Sequence, residues 1–142
     1  MPTTTASIAL SSDIGESSIS LNNTMTLLKA GSGTEGMDEM TSVSKIMQSN
    51  TQVDLLAAAT AGSTDHNFLY IKNPSTNPAE FFRIALGASP SGSASPSIIE
   101  ELGHLYAGDW MFIPWKAADT AYDVMITPSV STDMNVEYMI FS

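Results

Sequence analysis

The chain contains no cysteine, few basic residues and no long apolar run. Because none of its 142 residues is cysteine, it has neither a disulfide framework nor a thiolate metal site. The 5 Lys and Arg residues stand against 15 Asp and Glu residues, so the net charge is −10. This balance disfavours the basic patch that nucleic acid or anionic lipid requires. No apolar run approaches the roughly 18 residues of a membrane-spanning helix, so we expect neither nucleic acid nor membrane as a partner.

Aromatic residues are missing from the first part of the chain, where Ser and Thr are abundant. No Phe, Tyr or Trp precedes Phe68, so we expect the compact core to be built mostly from later strands. The first residues lack the basic and apolar regions of a signal peptide, which favours synthesis in the cytoplasm. A segment with sparse Ile, Leu and Met buries little apolar area by itself. We therefore predict that residues 1–65 form an extended β segment that makes assembly contacts. The alternative is that they complete the fold within one subunit.

The densest apolar run of the chain follows a turn at residues 107–109. This run, Trp110–Trp115, has the length of a strand rather than of a helix, and it is predicted to be buried on both faces. Pro114 has no N–H to donate to a ladder, so we expect it to end the strand or to lie at a sheet edge.

Segments with alternating hydrophobicity surround this run. The period of two residues predicts strands at 68–72, 81–86, 122–127 and 136–141. Strands are also predicted at 42–47 and 51–58. Residues 55–59 would accept a helix on propensity alone, but the turn residues on either side favour a short strand. The strands at 68–72 and 81–86 are separated by a segment rich in Asn and Pro, and they are predicted to form a hairpin. In the N-terminal segment, short strands are expected to be joined at 13–17 and 22–23.

Short strands at regular spacing, separated by turn residues, indicate an all-β fold. We predict an antiparallel β-sandwich of jelly-roll type, preceded by the extended Ser/Thr-rich N-terminal segment. The compact sandwich core is assigned to residues 66–142, within what this length makes one domain overall. The strands at 81–86 and 136–141 carry large apolar groups on both faces. In the last strand, Val136, Tyr138 and Ile140 are predicted to face one layer, and Met139 and Phe141 the other. A single sandwich leaves the outer faces of its sheets exposed to solvent. The excess of apolar groups on these strands therefore predicts a homo-oligomer, with a trimer as the leading expectation.

Two histidines are the main candidates for a metal site. His66 and His104, with Asp65 or Asp109, offer two imidazoles and a carboxylate, but nothing in their spacing requires a metal. We favour the alternative that both are ordinary loop histidines.

Three further segments carry polar groups that lack a catalytic arrangement. Glu100 and Glu101 are adjacent on a possible strand and would point to opposite faces, so they make a poor acid–base pair. The glycine-rich segment 31–36 lacks the Lys-Ser/Thr ending of a phosphate loop. The serine-rich segment 89–95 has no His-Asp arrangement to activate a hydroxyl. We therefore predict no enzyme activity, no cofactor and no metal.

Interaction residues are predicted in an acidic segment and at a few aromatic positions. The segment 35–40 combines carboxylates with two adaptable methionines, and its charge suits a basic patch on a partner. We expect the aromatic rings to pack in the core, with a sugar-binding platform of Tyr106, Trp110, Trp115 and Tyr122 as the alternative. Trp115 is the expected exposed ring, because it follows Pro114 at the end of a strand. The predicted interface residues are Glu35, Met37, Asp38, Glu39, Met40, Trp115, Tyr138 and Phe141.

Five motifs in the second half of the chain resemble small virion proteins of tailed bacteriophages. A strand that ends in Lys-Asn is followed by a Gly-Asp-apolar-Pro strand, and the chain closes on a Val-Glu-Tyr strand. The motifs are FLYIKN (68–73), FFRIAL (81–86), LYAGDWMFIP (105–114), YDVMI (122–126) and VEYMIFS (136–142). The resemblance covers about residues 66–142. It is structural, and it carries over no functional residue.

This resemblance implies a virion component. The expected function is that of a capsid decoration (cement) protein, which oligomerises and stabilises the particle through contacts with other virion proteins such as a major capsid protein. The expected location is the virion, after synthesis in the host cytoplasm. The alternative is a tail- or fibre-associated module that binds a receptor or a glycan.

Overall fold

The computed structural model describes residues 3–14, 18–48, 50–58, 66–88, 97–117 and 122–142. The chain divides into two compact units, Met1–Asp38 and Glu39–Ser142. The described part forms ten strands, and the pairings between them are antiparallel. Within that part, no helix is long and apolar enough to cross a membrane. The predicted all-β class with antiparallel sheets is therefore confirmed.

The first unit contains a two-stranded sheet, which we call the ribbon. It is formed by β1 (Thr4–Ser12) and β2 (Ile19–Leu27), which have nine residues each and pair along their whole length in one unbroken register. Asn22 and Asn23, which the sequence placed at a turn, lie inside β2, where each faces a β1 residue across the ladder. The prediction of a turn there is wrong, because pairing along the full strand outweighs the local turn preference of two asparagines.

The chain after the ribbon folds back and closes the first unit. The Met37 N–H donates to the Leu27 carbonyl at 2.9 Å, and the Lys29 N–H donates to the Glu35 carbonyl at 2.9 Å. Gly31 turns the chain with a φ of 72°, in the left-handed region that glycine adopts without a steric penalty. Leu27 and Met37 are fully buried at this end of the ribbon.

The second unit, which we call the body, contains two four-stranded sheets. Its strands are β3 (Met40–Met47), β4 (Val53–Leu56), β5 (Asn67–Lys72), β6 (Phe81–Ala88), β7 (Ser97–Tyr106), β8 (Trp110–Trp115), β9 (Asp123–Pro128) and β10 (Met134–Phe141). The first sheet has the order β3-β10-β5-β8, and the second has the order β4-β9-β6-β7. The pairings are nested, because β3 pairs with β10, β4 with β9, β5 with β8, and β6 with β7.

The two sheets of the body bury one shared hydrophobic core. Alternation sends one side of each strand inward, and residues from both sheets meet in a single cluster. Its most deeply buried side chains include Leu69, Ile71, Phe82, Ile84, Val124, Ile126 and Val136. In β10, Val136, Tyr138 and Ile140 are buried in the core, while Met139 and Phe141 are partly exposed on the other side. This confirms the predicted structural role and facing of the last strand.

β5 and β6 do not form the hairpin that the sequence predicted. β5 pairs with β8 and β10, whereas β6 pairs with β7 and β9, so these consecutive strands belong to different sheets. The segment between them crosses from one sheet to the other instead of turning back. A turn-rich segment indicates where a strand ends, but it does not specify the strand with which the next one pairs.

β8 is an edge strand with one exposed face. It lies at the end of its sheet, beside β5. Trp110 and Pro114 are exposed, whereas Trp115 is buried. The prediction of burial on both faces is therefore wrong, because a two-layer body leaves the outer face of each sheet open to solvent. The expectation that Pro114 ends the strand or lies at a sheet edge is confirmed, since this strand is itself an edge.

The boundary between the two units lies earlier than the sequence indicated. We predicted a boundary at residue 65, whereas the units divide after Asp38. The reason is that β3 and β4 pair with β10 and β9 and therefore belong to the body. These strands contain no aromatic residue, yet they supply Met47 and Leu55 to the core.

Candidate interaction surfaces

The ribbon has one apolar face that is largely exposed. In its register, the even-numbered residues of β1 lie opposite odd-numbered residues of β2, and all of them share one side of the sheet. We call this side the apolar face; its exposed members are Ile8, Leu10, Ile19, Leu21 and Met25, at 43%, 56%, 59%, 52% and 44% exposure. Leu10 lies directly opposite Leu21, whereas Ile8 lies opposite Asn23, which with Thr4 and Ser12 is a polar residue of this side. Exposed apolar residues grouped on one side of a sheet indicate a candidate contact site.

The other face of the ribbon is polar and uncharged. Ala9 is its one apolar residue, and the others are Thr5, Ser7, Ser11, Ser20, Asn22, Thr24 and Thr26. The hydroxyls of Ser7 and Thr24 form a hydrogen bond across the strands at 2.9 Å. Neither strand contains an Asp, Glu, Lys or Arg residue. The two faces therefore differ in polarity alone and not in charge.

Both edges of the ribbon are open to further strand pairing. Among the residues that the structure describes, no third strand joins β1 or β2, and the backbone contact at Leu27 is confined to one end. Proteins commonly block an exposed edge with Lys, Pro or a bulge. Neither strand contains Lys or Pro, and their register has no bulge.

The outward side of the first sheet of the body carries a cluster of aromatic rings. We call it the aromatic face; its members are Phe68, Tyr70, Trp110, Phe112 and Phe141. The rings of Phe68 and Phe112 stack with centroids 5.3 Å apart, and those of Tyr70 and Trp110 lie 6.0 Å apart. Phe112 also contacts Phe141 edge-on at 6.2 Å. This is a second apolar surface, on a different unit from the ribbon.

Trp110 and Trp115 take the opposite roles from those predicted. Trp110 is 52% exposed on the aromatic face, whereas Trp115 is 3% exposed. The Trp115 indole donates from Nε1 to the Tyr122 carbonyl at 2.7 Å. The expectation that Trp115 is the exposed ring is wrong, because its position opposite Asn67 in the ladder turns it toward the core. Tyr106 and Tyr122, the other candidate platform rings, are exposed but belong to other parts of the body.

The predicted acidic segment is only partly accessible. Met37 is fully buried, whereas Met40 is 61% exposed at the start of β3. Asp38 Oδ1 lies 2.6 Å from Lys29 Nζ, and this hydrogen bond lowers the pKa of Asp38 below its ordinary value of 3.8. The predicted interface residues of the segment that reach solvent are Glu35, Asp38, Glu39 and Met40.

The two predicted interface residues of β10 point in opposite directions. Tyr138 is 9% exposed and belongs to the core. Phe141 lies on the aromatic face, where it is partly exposed and sits opposite Met40 in the ladder. Of this pair, Phe141 is the residue that a partner can reach directly.

The histidines contact aromatic rings. His66 lies 5.0 Å from the ring of Phe68, and His104 stacks on Phe81 at 4.7 Å. His104 Nε2 is 3.7 Å from Glu101 Oε1. In the described ranges, no three His, Asp or Glu side chains are grouped to hold a metal ion. That the chain binds no metal and is no enzyme stays a prediction.

The other polar candidates form no site either. Glu100 and Glu101 are both exposed on β7. The glycine-rich segment 31–36 is part of the turn that Lys29 and Glu35 close. Asp65 and the serine-rich segment 89–95 lie outside the described residues.

A small cleft lies beside a bulge in β7. The register between β6 and β7 shifts next to Gly103, which has a φ of 140°. The cleft has a volume of about 170 Å³ and is lined by Ile84, Leu102, Gly103, His104, Leu105 and Met111. Ligand pockets usually measure about 300–1,000 Å³, so this cleft is small for a ligand site.

Asn73 joins the two sheets of the body, a role that the sequence analysis missed. Its side-chain amide donates to the carbonyls of Leu105 and Glu80, at 3.1 and 3.2 Å. Its backbone N–H donates to the Asp109 carbonyl at 3.0 Å, and its carbonyl accepts from the Gly108 N–H at 2.9 Å. The Lys-Asn and Gly-Asp motifs of the resemblance therefore meet here. The available signal was an asparagine directly between an alternating strand and a proline.

Comparisons with known proteins identify no relative. No family model matches the chain, no curated protein matches it, and no solved structure matches it. The resemblance to phage virion proteins therefore stays a prediction that depends on the five sequence motifs.

Proposed function

We propose that this protein is a structural component of a tailed-phage virion, namely a capsid decoration protein. In this role it oligomerises and stabilises the particle through contacts with other virion proteins such as the major capsid protein. The observation that carries the proposal is the nested pairing of the body strands, from β3 with β10 inward to β6 with β7.

Nested pairing supports a jelly-roll sandwich for the body. A long antiparallel hairpin folded into two layers gives this order, and among the described strands of the body β6 and β7 are the one consecutive pair that shares a sheet. A jelly roll has about eight strands in two Greek keys, and it occurs in viral capsid proteins and in lectins. Because one fold hosts many functions, the contact surfaces have to support the assignment as well.

The exposed surfaces favour assembly with other proteins. The ribbon displays the apolar face and two open edges, and proteins use such features to bind one another by strand pairing. The carboxylates of Glu35 and Glu39 are exposed and suit a basic patch on a capsid protein. We keep the expectation that the chain has no catalytic activity.

Binding to capsids tests the proposal. Purified protein is added to shells of the same phage that lack it, and we expect stoichiometric uptake together with a higher temperature of shell disruption. The variant Glu35→Gln/Glu39→Gln should bind more weakly and with less dependence on salt. The variant Asp13→Asn/Asp133→Asn removes the same charge elsewhere and is the matched control. Virions that do not contain the chain, and shells that do not take it up, would refute the proposal.

A glycan-binding module of the tail or fibre is the second candidate. The observation that favours it is the exposed ring of Trp110 beside Tyr70, since sugars stack on aromatic rings. Retention on immobilised glycans should be lost in Trp110→Ala and kept in Tyr106→Ala, which removes an exposed ring from the other sheet. If the wild-type protein is not retained on a broad glycan panel, this candidate is eliminated.

A further inference from the structure

We propose that three copies of the chain join their ribbons edge to edge into a closed six-stranded barrel, with the apolar faces inside. This inference rests on the proposed function in its claim of oligomerisation, and it names other copies of the same chain as the partner of the ribbon. The barrel satisfies two features of the ribbon at once, namely the exposed apolar face and the two unpaired edges.

The apolar face needs a cover, because an isolated two-stranded hairpin is marginally stable in water. The five side chains of this face are each 43–59% exposed. They lie on one side of the ribbon, which also carries Thr4, Ser12 and Asn23, whereas Ala9 is the one apolar residue of the other side. A cover is therefore required on one side, and the polar side is suited to remain in water.

Cyclic symmetry allows other copies of the chain to pair with both edges of the ribbon and to bury its apolar face. β1 and β2 run antiparallel, so a rotation about an axis along the ribbon places β1 of one copy beside β2 of the next in antiparallel orientation. The two strands also have the same length of nine residues, so the neighbouring edges match. Closure leaves no strand edge unpaired.

The charge distribution favours the same partner. Each chain carries a net charge of −10, so copies repel one another through most of their surface. The strands of the ribbon carry no charged residue, so identical chains can make contact through the ribbon without charge repulsion between its strands. A ribbon that recognised a basic partner would be expected to carry acidic residues instead.

The size of the surface indicates three copies rather than two. A strand of nine residues is about 30 Å long and a ribbon is about 10 Å wide, so two ribbons packed face to face bury on the order of 600 Å². Stable interfaces bury about 1,200–2,000 Å². Edge-to-edge closure adds a shared ladder between each pair of copies. Eight-stranded barrels are just wide enough for side chains to fill them, so six strands leave an interior that Ile, Leu and Met side chains can fill.

The test compares two charge substitutions on opposite faces of the same ribbon. Leu10→Asp/Leu21→Asp places carboxylates at a directly opposed pair on the apolar face. Ala9→Asp/Asn22→Asp places them at the neighbouring opposed pair on the polar face. Both variants put like charges across the ladder, so any effect on the hairpin itself is matched. Sedimentation equilibrium measures the mass of the full-length protein.

We expect the wild-type protein and the polar-face variant to sediment as trimers of about 45 kDa, three times the chain mass of 15.1 kDa. The apolar-face variant should sediment as a monomer. A monomeric or dimeric wild-type protein, a trimer that survives in the apolar-face variant, or equal loss in both variants would overturn the inference. Capsid uptake is measured on the same samples. Trimers that fail to bind capsids would refute the proposed function alone. A wild-type monomer that binds them would refute the barrel and the oligomerisation but not the role in decorating the capsid.

Discussion

The ribbon and the body use the same pattern of alternating side chains with opposite results. In the body, the inward residues of both sheets are almost fully buried, as Phe82 and Ile126 show at 0% exposure. In the ribbon, five apolar residues of the apolar face are 43–59% exposed, whereas Leu27 at one end is buried. The difference is a second layer, because the body packs sheet on sheet whereas β1 and β2 form a single sheet. Alternation therefore determines which face is apolar, and packing determines whether that face is covered.

The outer faces of the body extend this comparison. The aromatic face of the first sheet is apolar and partly exposed, although the inner face of the same strands is buried. Strands with apolar residues on both sides, such as β10, lie against the core on one side only. Substitutions on the two kinds of face measure how strongly burial distinguishes these surfaces.

The largest effect is expected inside the body, at Phe82. Phe82→Ala should lower the free energy of unfolding by about 3–5 kcal/mol, because it leaves a cavity at a completely buried position. Phe81→Ala, one residue away on the outward face, is the matched control and should cost less, about 1–2 kcal/mol. Urea denaturation at a fixed protein concentration measures both. Equal losses would contradict the assignment of inner and outer faces.

Removal of the Asn73 side chain should have the next largest effect. Asn73→Ala takes away the donor to the Leu105 and Glu80 carbonyls, and we expect a loss of about 2–3 kcal/mol. Asn77→Ala in the same connection removes an exposed side chain and should cost under about 1 kcal/mol. Thermal and urea denaturation measure the loss of stability in each of the two variants. If Asn73→Ala is as stable as Asn77→Ala, this residue does not join the sheets.

The fluorescence of the two tryptophans distinguishes the inner face of β8 from its outer face. Trp115→Phe removes the donor to the Tyr122 carbonyl and should cost about 1–2 kcal/mol, whereas Trp110→Phe should cost about 0.5 kcal/mol or less. In Trp110→Phe, the remaining buried indole should emit at shorter wavelength and resist quenching by acrylamide. In Trp115→Phe, the remaining exposed indole should be quenched readily. The reverse pattern would show that the faces of β8 are exchanged.

The smallest effect is expected at the ion pair of the first unit. Because Lys29 lowers the pKa of Asp38, the contribution of this pair to stability is present above the ordinary pKa of 3.8 and is lost as the pH falls through the lowered value. Both groups are exposed, so the effect on stability is small. Lys29→Gln should return the pKa of Asp38 toward 3.8, which NMR titration of the carboxyl carbon measures. Lys116→Gln removes a cation elsewhere and should leave this pKa unchanged.

The sequence predicted the later strands well, because their alternation is a local property. The strand predicted at 68–72 appears as Asn67–Lys72, and the strand predicted at 81–86 appears as Phe81–Ala88. Alternation also predicted the inner and outer residues of β10 correctly. The pairing of β5 with β8 and β10 was missed, because strand partners are separated by long stretches of chain and no local pattern encodes them.

The candidate surfaces could be predicted only in part. Trp110 and Trp115 are five residues apart in β8, so alternation requires one to face inward and the other outward. The sequence does not reveal which is which, because that depends on the side of β8 that meets the second sheet. The apolar face of the ribbon was missed for a related reason, since Ile8 and Leu21 are isolated in Ser/Thr-rich sequence and come together only through the register.

The sequence by itself determined the all-β class, the positions of most strands and the sorting of each strand into two faces. These are consequences of side-chain chemistry and of the two-residue period of an extended chain. The tertiary structure alone decided the nested order of the body strands, the burial of Trp115 with exposure of Trp110, and the gathering of the apolar face of the ribbon. These depend on contacts between residues far apart in the chain, where the free energy of burying a shared core selects among pairings that are locally equivalent.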